Sequence, residues 1–447
     1  MWKSGSEIRA VQDVKLARMV SMCAEYHPYY AKQFRSLGIS PSDIQTVEEL
    51  EKLPLTQKAD LMAAPDDFRL RLEGFDSFES SVWDIVYTTG TTAGKPTPIF
   101  NTAYDFYAIL EMYRRMNDIR GIGPKDVVAN LLPLTRLPHG AFLRYTFAPL
   151  TSGARLIAPM PGSRVEGFSI HRSLDEAIRM TEEHRATVLV GVPSFLRRFL
   201  IRAEELGMDG SSIRLLCLVG EPVSDGLRED LRRRSSLLGA RDVVVSASYG
   251  ATETQCGFVE CAEHAGMHNP APDFLFVEIV DPDSGRRLPD GERGMVAITH
   301  LDRRGTVLLR YLLGDLAVLT HEPCPVCGRL SERILGIPER RHDLVKVKGM
   351  LINPQALCDR LVALPGIEEF QVRITKEVPG DPYSMDVLVI RVATRASDSQ
   401  HVGDQVRQLT KELTGVTPRV EYVDRHELHN PEGNLKAKRF IDERRGK

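Results

Sequence analysis

Twelve residues, Tyr87-Thr-Thr-Gly-Thr-Thr-Ala-Gly-Lys95-Pro-Thr-Pro98, hold five threonines, two glycines and one lysine. Glycines let the backbone curl around an anion, and amide N–H groups and threonine hydroxyls can then point at phosphate oxygens. Lys95 adds a mobile positive charge, so the composition suits a triphosphate. The spacing is not that of the Walker loop, because Gly90 and Gly94 stand one residue too close and Pro96 follows the lysine. Taken alone, the stretch can also be read as a polar surface turn.

A second group of residues can hold a metal. Cys261, His268, Cys324 and Cys327 combine a Cys-x₆-His pair with Cys324-Pro-Val-Cys327-Gly. Thiolates with an imidazole suit Zn²⁺ in a closed structural site. Reduced buried thiols, or Cys256 or His264 as ligands instead, are the competing readings. Cys23, Cys217 and Cys358 are isolated. Seven cysteines, an odd and modest number, argue against a disulfide framework.

Elements must position these residues. The chain has 447 residues, 42% hydrophobic and 27% charged, with a net charge of −3. That is enough for two or more domains, and it gives no electrostatic reason to expect nucleic acid or a membrane surface as partner. No apolar run reaches the roughly eighteen residues of a membrane span, and the N-terminus lacks a signal peptide's apolar core, so a cytoplasmic protein is expected. An amphipathic helical lead-in is expected over residues 7–37, and a helix capped by Thr56 after it. From residue 82, apolar strands (Val127–Leu132, Arg155–Ala158, Thr187–Val192, Leu215–Val219, Val243–Ser246) alternate with helices (Asp175–Glu183, Pro193–Leu206, Ser224–Leu237). This pattern predicts an α/β domain with a largely parallel sheet. Period-two runs at Phe274–Val280, Gly294–Thr299 and Thr306–Arg310 predict a small antiparallel β subdomain. The charged stretch Glu339-Arg-Arg-His-Asp343 marks a boundary. The expected division is a multi-subdomain unit over 1–339 and a smaller α+β unit over 340–447.

Four downstream segments complete an ordered set with the Thr/Gly loop: Ser248-Tyr-Gly-Ala-Thr-Glu253, Tyr311-Leu-Leu-Gly-Asp315, Asp343-Leu-Val-Lys-Val-Lys-Gly-Met-Leu-Ile-Asn-Pro354 and Lys436-Ala-Lys-Arg439. In this order they resemble the adenylate-forming enzymes. Gly220-Glu-Pro222, the cysteine-containing insertion after Tyr249-Gly250, and Cys324-Pro-Val-Cys-Gly-Arg329 make the chain look most like the phenylacetate-CoA ligase family. The resemblance implies that 340–447 is a mobile lid. It implies ATP- and Mg²⁺-dependent activation of a small aromatic acid to an acyl-adenylate, then transfer to a thiol of coenzyme A or a carrier protein. Some relatives use an amine acceptor or activate nitrite to diazotise an aryl amine. The contrasting class is a non-catalytic nucleotide-binding regulator on the same fold. A homodimer is one open oligomeric outcome.

Residue by residue, the resemblance implies that Thr89, Gly90, Thr91, Thr92, Gly94 and Lys95 hold the β- and γ-phosphates, Ala93 being an extra residue in this loop. Glu253 would ligate Mg²⁺, Tyr249 would stack on adenine beside Gly220, Glu221, Pro222, Gly250 and Thr252, and Asp315 with Arg340 would hold the ribose. Lys348 and Gly349 would approach with the lid. Lys436 would bridge the carboxylate and the α-phosphate, with Lys438 as the other choice. His139 would act as a gate between steps, and Phe142, Phe195, Ala247 and Ser248 would shape an aryl pocket. Where the family usually has a hinge aspartate, alignment back from Gly349 gives His342.

Overall fold

The computed structural model describes residues 4–88, 96–132, 140–161, 170–340, 345–347, 350–378, 384–394, 399–428 and 437–444. The N-terminal lead-in is two helices, α1 (Gly5–Tyr26) and α2 (Pro28–Leu37). They break at His27, because Pro28 has no N–H to continue α1 but suits the first turn of a new helix. The His27 ring caps that turn. Nδ1 accepts from the Tyr30 amide at 3.2 Å, which leaves Nε2–H to donate to the Val307 carbonyl at 3.3 Å. Short helices α3 (Lys58–Ala63) and α4 (Ser77–Ser80) follow. The expected Thr56 cap of α3 is incorrect. Asp60 caps it by accepting from the Gln57 amide at 2.9 Å, and Thr56 Oγ1 is buried, donating to the Leu309 carbonyl at 2.8 Å.

Strands β1 (Val82–Tyr87) and β2 (Pro98–Thr102) form an antiparallel hairpin around the Thr/Gly loop. Its neck is tied twice, by Thr88 N–H to the Thr97 carbonyl and by Thr97 N–H to Thr88 Oγ1, each 3.0 Å. Helix α5 (Ala103–Arg120) starts from a Thr102/Asp105 capping box. The α/β alternation then appears as expected: β3 (Val127–Asn130), α6 (Gly140–Phe147), β4 (Arg155–Ile157), α7 (Leu174–Glu183), β5 (Val188–Gly191), α8 (Pro193–Leu206), β6 (Leu215–Leu218), α9 (Asp225–Leu237) and β7 (Val244–Tyr249). Strands β4-β3-β5-β6-β7 are parallel neighbours. β3, β5 and β6 are buried along their whole length, as central parallel strands must be.

The antiparallel region extends this same sheet. β7 also pairs with β8 (Phe258–Glu260), and β9 (Met267–His268), β10 (Leu275–Val280), β11 (Arg293–His300), β12 (Tyr311–Thr320) and β13 (Arg333–Arg340) complete eleven strands in the order β10-β11-β12-β13-β9-β8-β7-β6-β5-β3-β4. The expected strand over Thr306–Arg310 does not form, because neighbours outside the sheet claim its backbone. Thr306 N–H goes to the Phe100 carbonyl (2.9 Å), Val307 N–H to the Phe68 carbonyl (2.9 Å) and Leu309 N–H to Tyr30 Oη (2.7 Å). The strand begins one residue later, at Tyr311.

Beyond β13 come the hairpin β14 (Val345–Val347) and β15 (Met350–Ile352), helix α10 (Pro354–Val362), and strands β16 (Ile367–Lys376) and β17 (Asp386–Thr394). Helix α11 (Ser399–Thr414), β18 (Arg419–Tyr422), α12 (Arg425–Leu428) and β19 (Phe440–Asp442) complete the described chain. These form a second sheet, β18-β17-β16-β19. The fold is therefore α/β, a large mixed sheet followed by a smaller α+β unit. The two meet where Arg197 of α8 donates to the carbonyls of Ile367 (3.1 Å) and Glu368, and where Gly226 of α9 lies against Ala363 after α10. A Cβ at Gly226 would stand 2.9 Å from the Ala363 Cβ, so a side chain there would force the units apart.

Two buried histidines make stability depend on pH. Burial lowers the His27 pKa to about 4 and that of His300, in β11, well below its ordinary value. Above the unfolded value of about 6.5 both states are neutral, and stability is at its full level. As pH falls towards 4, the unfolded chain binds protons that the native rings refuse, so stability falls by up to about 1.4 kcal/mol per pH unit for each ring. Urea unfolding should therefore show a lower midpoint at pH 5 than at pH 7. Equal midpoints would show that the rings are not held neutral.

Candidate active site

Strand β1, the turn after β7 and the start of β12 are tied together. Just beyond β7, Thr252–Thr254 form a 3₁₀ turn that carries Glu253, a buried carboxylate. Tyr311 Oη, also buried, donates to Glu253 Oε1 at 3.1 Å. The other carboxylate oxygen makes no hydrogen bond to a described residue. His300 fixes the turn from behind: Nδ1 accepts from the Leu308 amide at 3.1 Å, so Nε2–H donates to the Glu253 carbonyl at 3.0 Å. Burial and the facing carboxylate raise the Tyr311 pKa, which keeps the phenol protonated as a donor. A carboxylate aimed by one hydrogen bond, with its second oxygen available, is suited to an oxygen-seeking cation.

A buried arginine couples this turn to the hairpin. Arg144 of α6 donates to both Asp84 oxygens, Nη1 to Oδ2 at 2.5 Å and Nη2 to Oδ1 at 3.1 Å. Its Nε and Nη2 also reach Gln255 Oε1, at 3.2 and 2.7 Å. Gln255 holds φ at +57°, and its amide donates to the Thr252 carbonyl, so one guanidinium ties β1 to the Glu253 turn. The sequence reading missed Arg144. A lone arginine in the apolar run Phe142–Phe147 was the available signal.

On the other side of β7, Tyr249 Oη donates to Asp315 Oδ2 at 2.9 Å. Gly314, at φ +90°, takes a conformation L residues rarely adopt just before Asp315, and strand register places the Arg340 backbone opposite Asp315. Tyr249, Asp315 and the Arg340 backbone therefore share one place, at the end of β7. Gly250 must lack a side chain, because a Cβ would meet the Cys256 carbonyl at 2.8 Å. Gly220 has φ +85°, and Glu221 caps α8, accepting from Ser194 N–H and Oγ–H, each 2.9 Å. The Glu221 carboxylate is thus engaged within the fold.

Phe142 in α6, Phe195 in α8 and Ala247 in β7 are buried, and Ser248 is half-buried. Alternation along β7 puts Ala247 and Ser248 on opposite faces. Thr89–Lys95, His139, His342, Lys348, Gly349 and Lys436 lie outside the described residues.

The cysteine cluster forms away from this site. Cys261, His268, Cys324 and Cys327 bring one donor atom each to within 4.8 Å of one another. Cys261 Sγ to Cys324 Sγ is 3.8 Å, and His268 Nε2 stands 3.4 and 3.5 Å from the sulfurs of Cys261 and Cys327. Tetrahedral Zn²⁺ with bonds of about 2.3 Å to sulfur and 2.05 Å to nitrogen has edges of about 3.8 Å (S–S) and 3.6 Å (S–N), so the donor set fits that ion. Burial, with Arg333 and Arg329 nearby, lowers the His268 pKa to about 4, which keeps the imidazole neutral as a ligand must be. Gly328 at φ +69° turns its N–H back to the Cys324 carbonyl at 2.9 Å.

The profile of the family described as "AMP-binding enzyme" matches residues 42–301. Phenylacetate-coenzyme A ligase of Thermus thermophilus is 26% identical over 419 residues, covering 93% of this chain and 88% of that one. Phenylacetate-coenzyme A ligase of Escherichia coli is 26% identical over 449 residues, covering 98% and 95%. The crystal structure of 2-hydroxyisobutyryl-CoA ligase in the postadenylation state superposes with a TM-score of 0.81 at 22% identity, covering 99% of this chain and 91% of that chain. That overlap establishes the fold.

Proposed function

Since the chain belongs to the AMP-binding enzyme family and is an AMP-forming ligase, we propose that it activates an aromatic acid, aryl or arylacetic, to an acyl-adenylate and passes the acyl group to coenzyme A. The observation that carries this reading is the meeting of three elements around the end of β7: the hairpin that carries the Thr/Gly loop, clamped through Asp84 and Arg144 to the turn after β7, the Tyr311-aimed Glu253, and the Tyr249–Asp315 pair.

In this mechanism Tyr249, Asp315 and Arg340 hold the nucleoside, and the loop from Thr89 to Lys95 holds the β- and γ-phosphates. Glu253 would hold Mg²⁺, which would supply positive charge to neutralise the phosphates. Lys436 arrives with the 340–447 lid and balances charge at the α-phosphate, and His139 gates the passage between the two steps. Phe142, Phe195 and Ser248 support an aryl rather than a long-chain acid, and Ala247, on the opposite face of β7, drops out of that set. Tests of ATP–pyrophosphate exchange with aryl and arylacetic acids, followed by mass analysis with CoA, should give exchange and an acyl-CoA. Exchange without an acyl-CoA would move the acceptor to a carrier-protein thiol or an amine. Exchange only with nitrite and an aryl amine would favour diazotisation, and none at all a regulator.

Cys261, His268, Cys324 and Cys327 would hold a structural Zn²⁺ that staples the β8–β9 segment to the β12–β13 turn. Elemental analysis is expected to find about one zinc per chain. Cys324→Ser should lose it and melt at least about 5 °C lower. A metal-free wild-type protein of unchanged melting temperature would refute the assignment. Seven cysteines with no disulfide among them accord with the reducing cytoplasm as the place of action.

A further inference from the structure

Arg120, at the end of α5, is a buried arginine that the mechanism above does not use. Its Nε donates to Ser246 Oγ at 2.9 Å, and Nη2 donates to Ser248 Oγ at 2.6 Å and to the Ala247 carbonyl at 3.3 Å. Nη1 has one long contact, 3.4 Å to Tyr145 Oη. All four partners are formally neutral, and no described carboxylate forms an ion pair with this guanidinium. The adjacent acid, Glu260, is already engaged by Arg228 Nη2 (2.8 Å) and the Ala247 amide (2.8 Å). A buried guanidinium offers five N–H donors and is costly without an opposite charge, so an enzyme that needed only a strap between α5 and β7 could use a neutral residue.

Ala247 points the other way, and Arg120 lies on the β7 face of Ser248, the other strand residue assigned to the acid. Ser246 and Ser248 share it by strand alternation, and Cys217 of β6, paired in register with Ser246, points the same way. Tyr145 stands three residues after Phe142 on α6, on the same helix face. Ser248 is half-buried, which opens this face at the end nearest Tyr249.

We propose that Arg120 reads a second group on the acid, an anionic or hydrogen-bond-accepting ring substituent at the end remote from the reacting carboxylate. This rests on the aromatic-acid reading above and narrows it to substituted rings: a second carboxylate or a hydroxyl in place of bare benzoate or phenylacetate. Nη1 supplies the spare donor, while the two serines hold the guanidinium plane across the strand.

The test is kcat/KM for pyrophosphate release with the wild-type enzyme, on matched benzoic and phenylacetic acids bearing a ring carboxylate, hydroxyl or methyl group. The methyl compound controls for shape. A preference of at least about 10-fold for the carboxylate or hydroxyl over methyl is expected, since a polar site left unpaired rejects the analogue that lacks the group. The carboxylate and hydroxyl arms tell an anion from a neutral acceptor. Arg120→Met should bring the ratio within about threefold of unity, and Arg120→Lys should retain part of a carboxylate preference. Wild-type enzyme that favours methyl or unsubstituted acids would overturn the proposal whether or not the variants fold. So would a well-folded Arg120→Met with unchanged selectivity. No release with any of these acids would overturn the aromatic-acid reading and this inference with it.

Discussion

Glu253→Gln is expected to slow adenylate formation by about 100- to 1,000-fold, roughly 2.7–4 kcal/mol of transition-state stabilisation. Glutamine keeps the size of the side chain, and its carbonyl oxygen can still accept from Tyr311 Oη, so the turn should survive. What is lost is the negative charge that would draw Mg²⁺ to the second carboxylate oxygen. Pyrophosphate exchange should fall at saturating ATP, and the Mg²⁺ concentration for half-maximal rate should rise. A loss below about threefold, with the Mg²⁺ response unchanged, would remove Glu253 from the ion's coordination and leave it a structural acid.

The two C-terminal lysines should separate cleanly. Lys436→Ala is expected to reduce adenylate formation by about 100-fold or more, the scale of removing one charged donor from a developing oxyanion. Thioester formation from a supplied acyl-adenylate should stay within about threefold. Lys438→Ala should stay near wild type in both half-reactions. The basis is how β19 enters its sheet. Arg439 pairs with Glu369 at 3.1 Å and its carbonyl accepts from the Val372 amide at 2.7 Å. The Lys438 carbonyl accepts from Gln371 Nε2 at 3.0 Å, with its side chain exposed. Lys438 is thereby held to the sheet, whereas Lys436 precedes these anchored residues in the sequence. The opposite pattern, with Lys438→Ala silencing exchange, would reassign the role.

Local order was legible wherever one element answers to one pattern. Helix α8 has the expected bounds, Pro193–Leu206, because proline starts it and Gly207, at φ +68°, ends it. The parallel strands followed from apolar runs buried on both faces. Thr306–Arg310 failed because its strand-like alternation is real, but its hydrogen bonds go to Phe68, Phe100 and Tyr30, residues more than two hundred positions away. Thr56 failed in the same way: a good capping residue was taken instead by Leu309.

The candidate site divides along the same line. Residue types and their order, read with the family resemblance, were enough to nominate Glu253, Tyr249, Asp315 and the Cys261, His268, Cys324 and Cys327 set as candidates. Tertiary structure decided which partner each meets. The Tyr249–Asp315 hydrogen bond spans 66 residues, the Cys261–Cys324 contact 63 and the Arg144–Gln255 clamp 111. Arg120 shows the difference most plainly. In sequence it is a basic residue in the last turn of a helix, where a charge suits the helix dipole and invites no further reading. Only the packing of α5 against β7 buries that charge among formally neutral hydrogen-bond partners, with no ion pair among the described residues, and such surroundings are encoded by no local pattern.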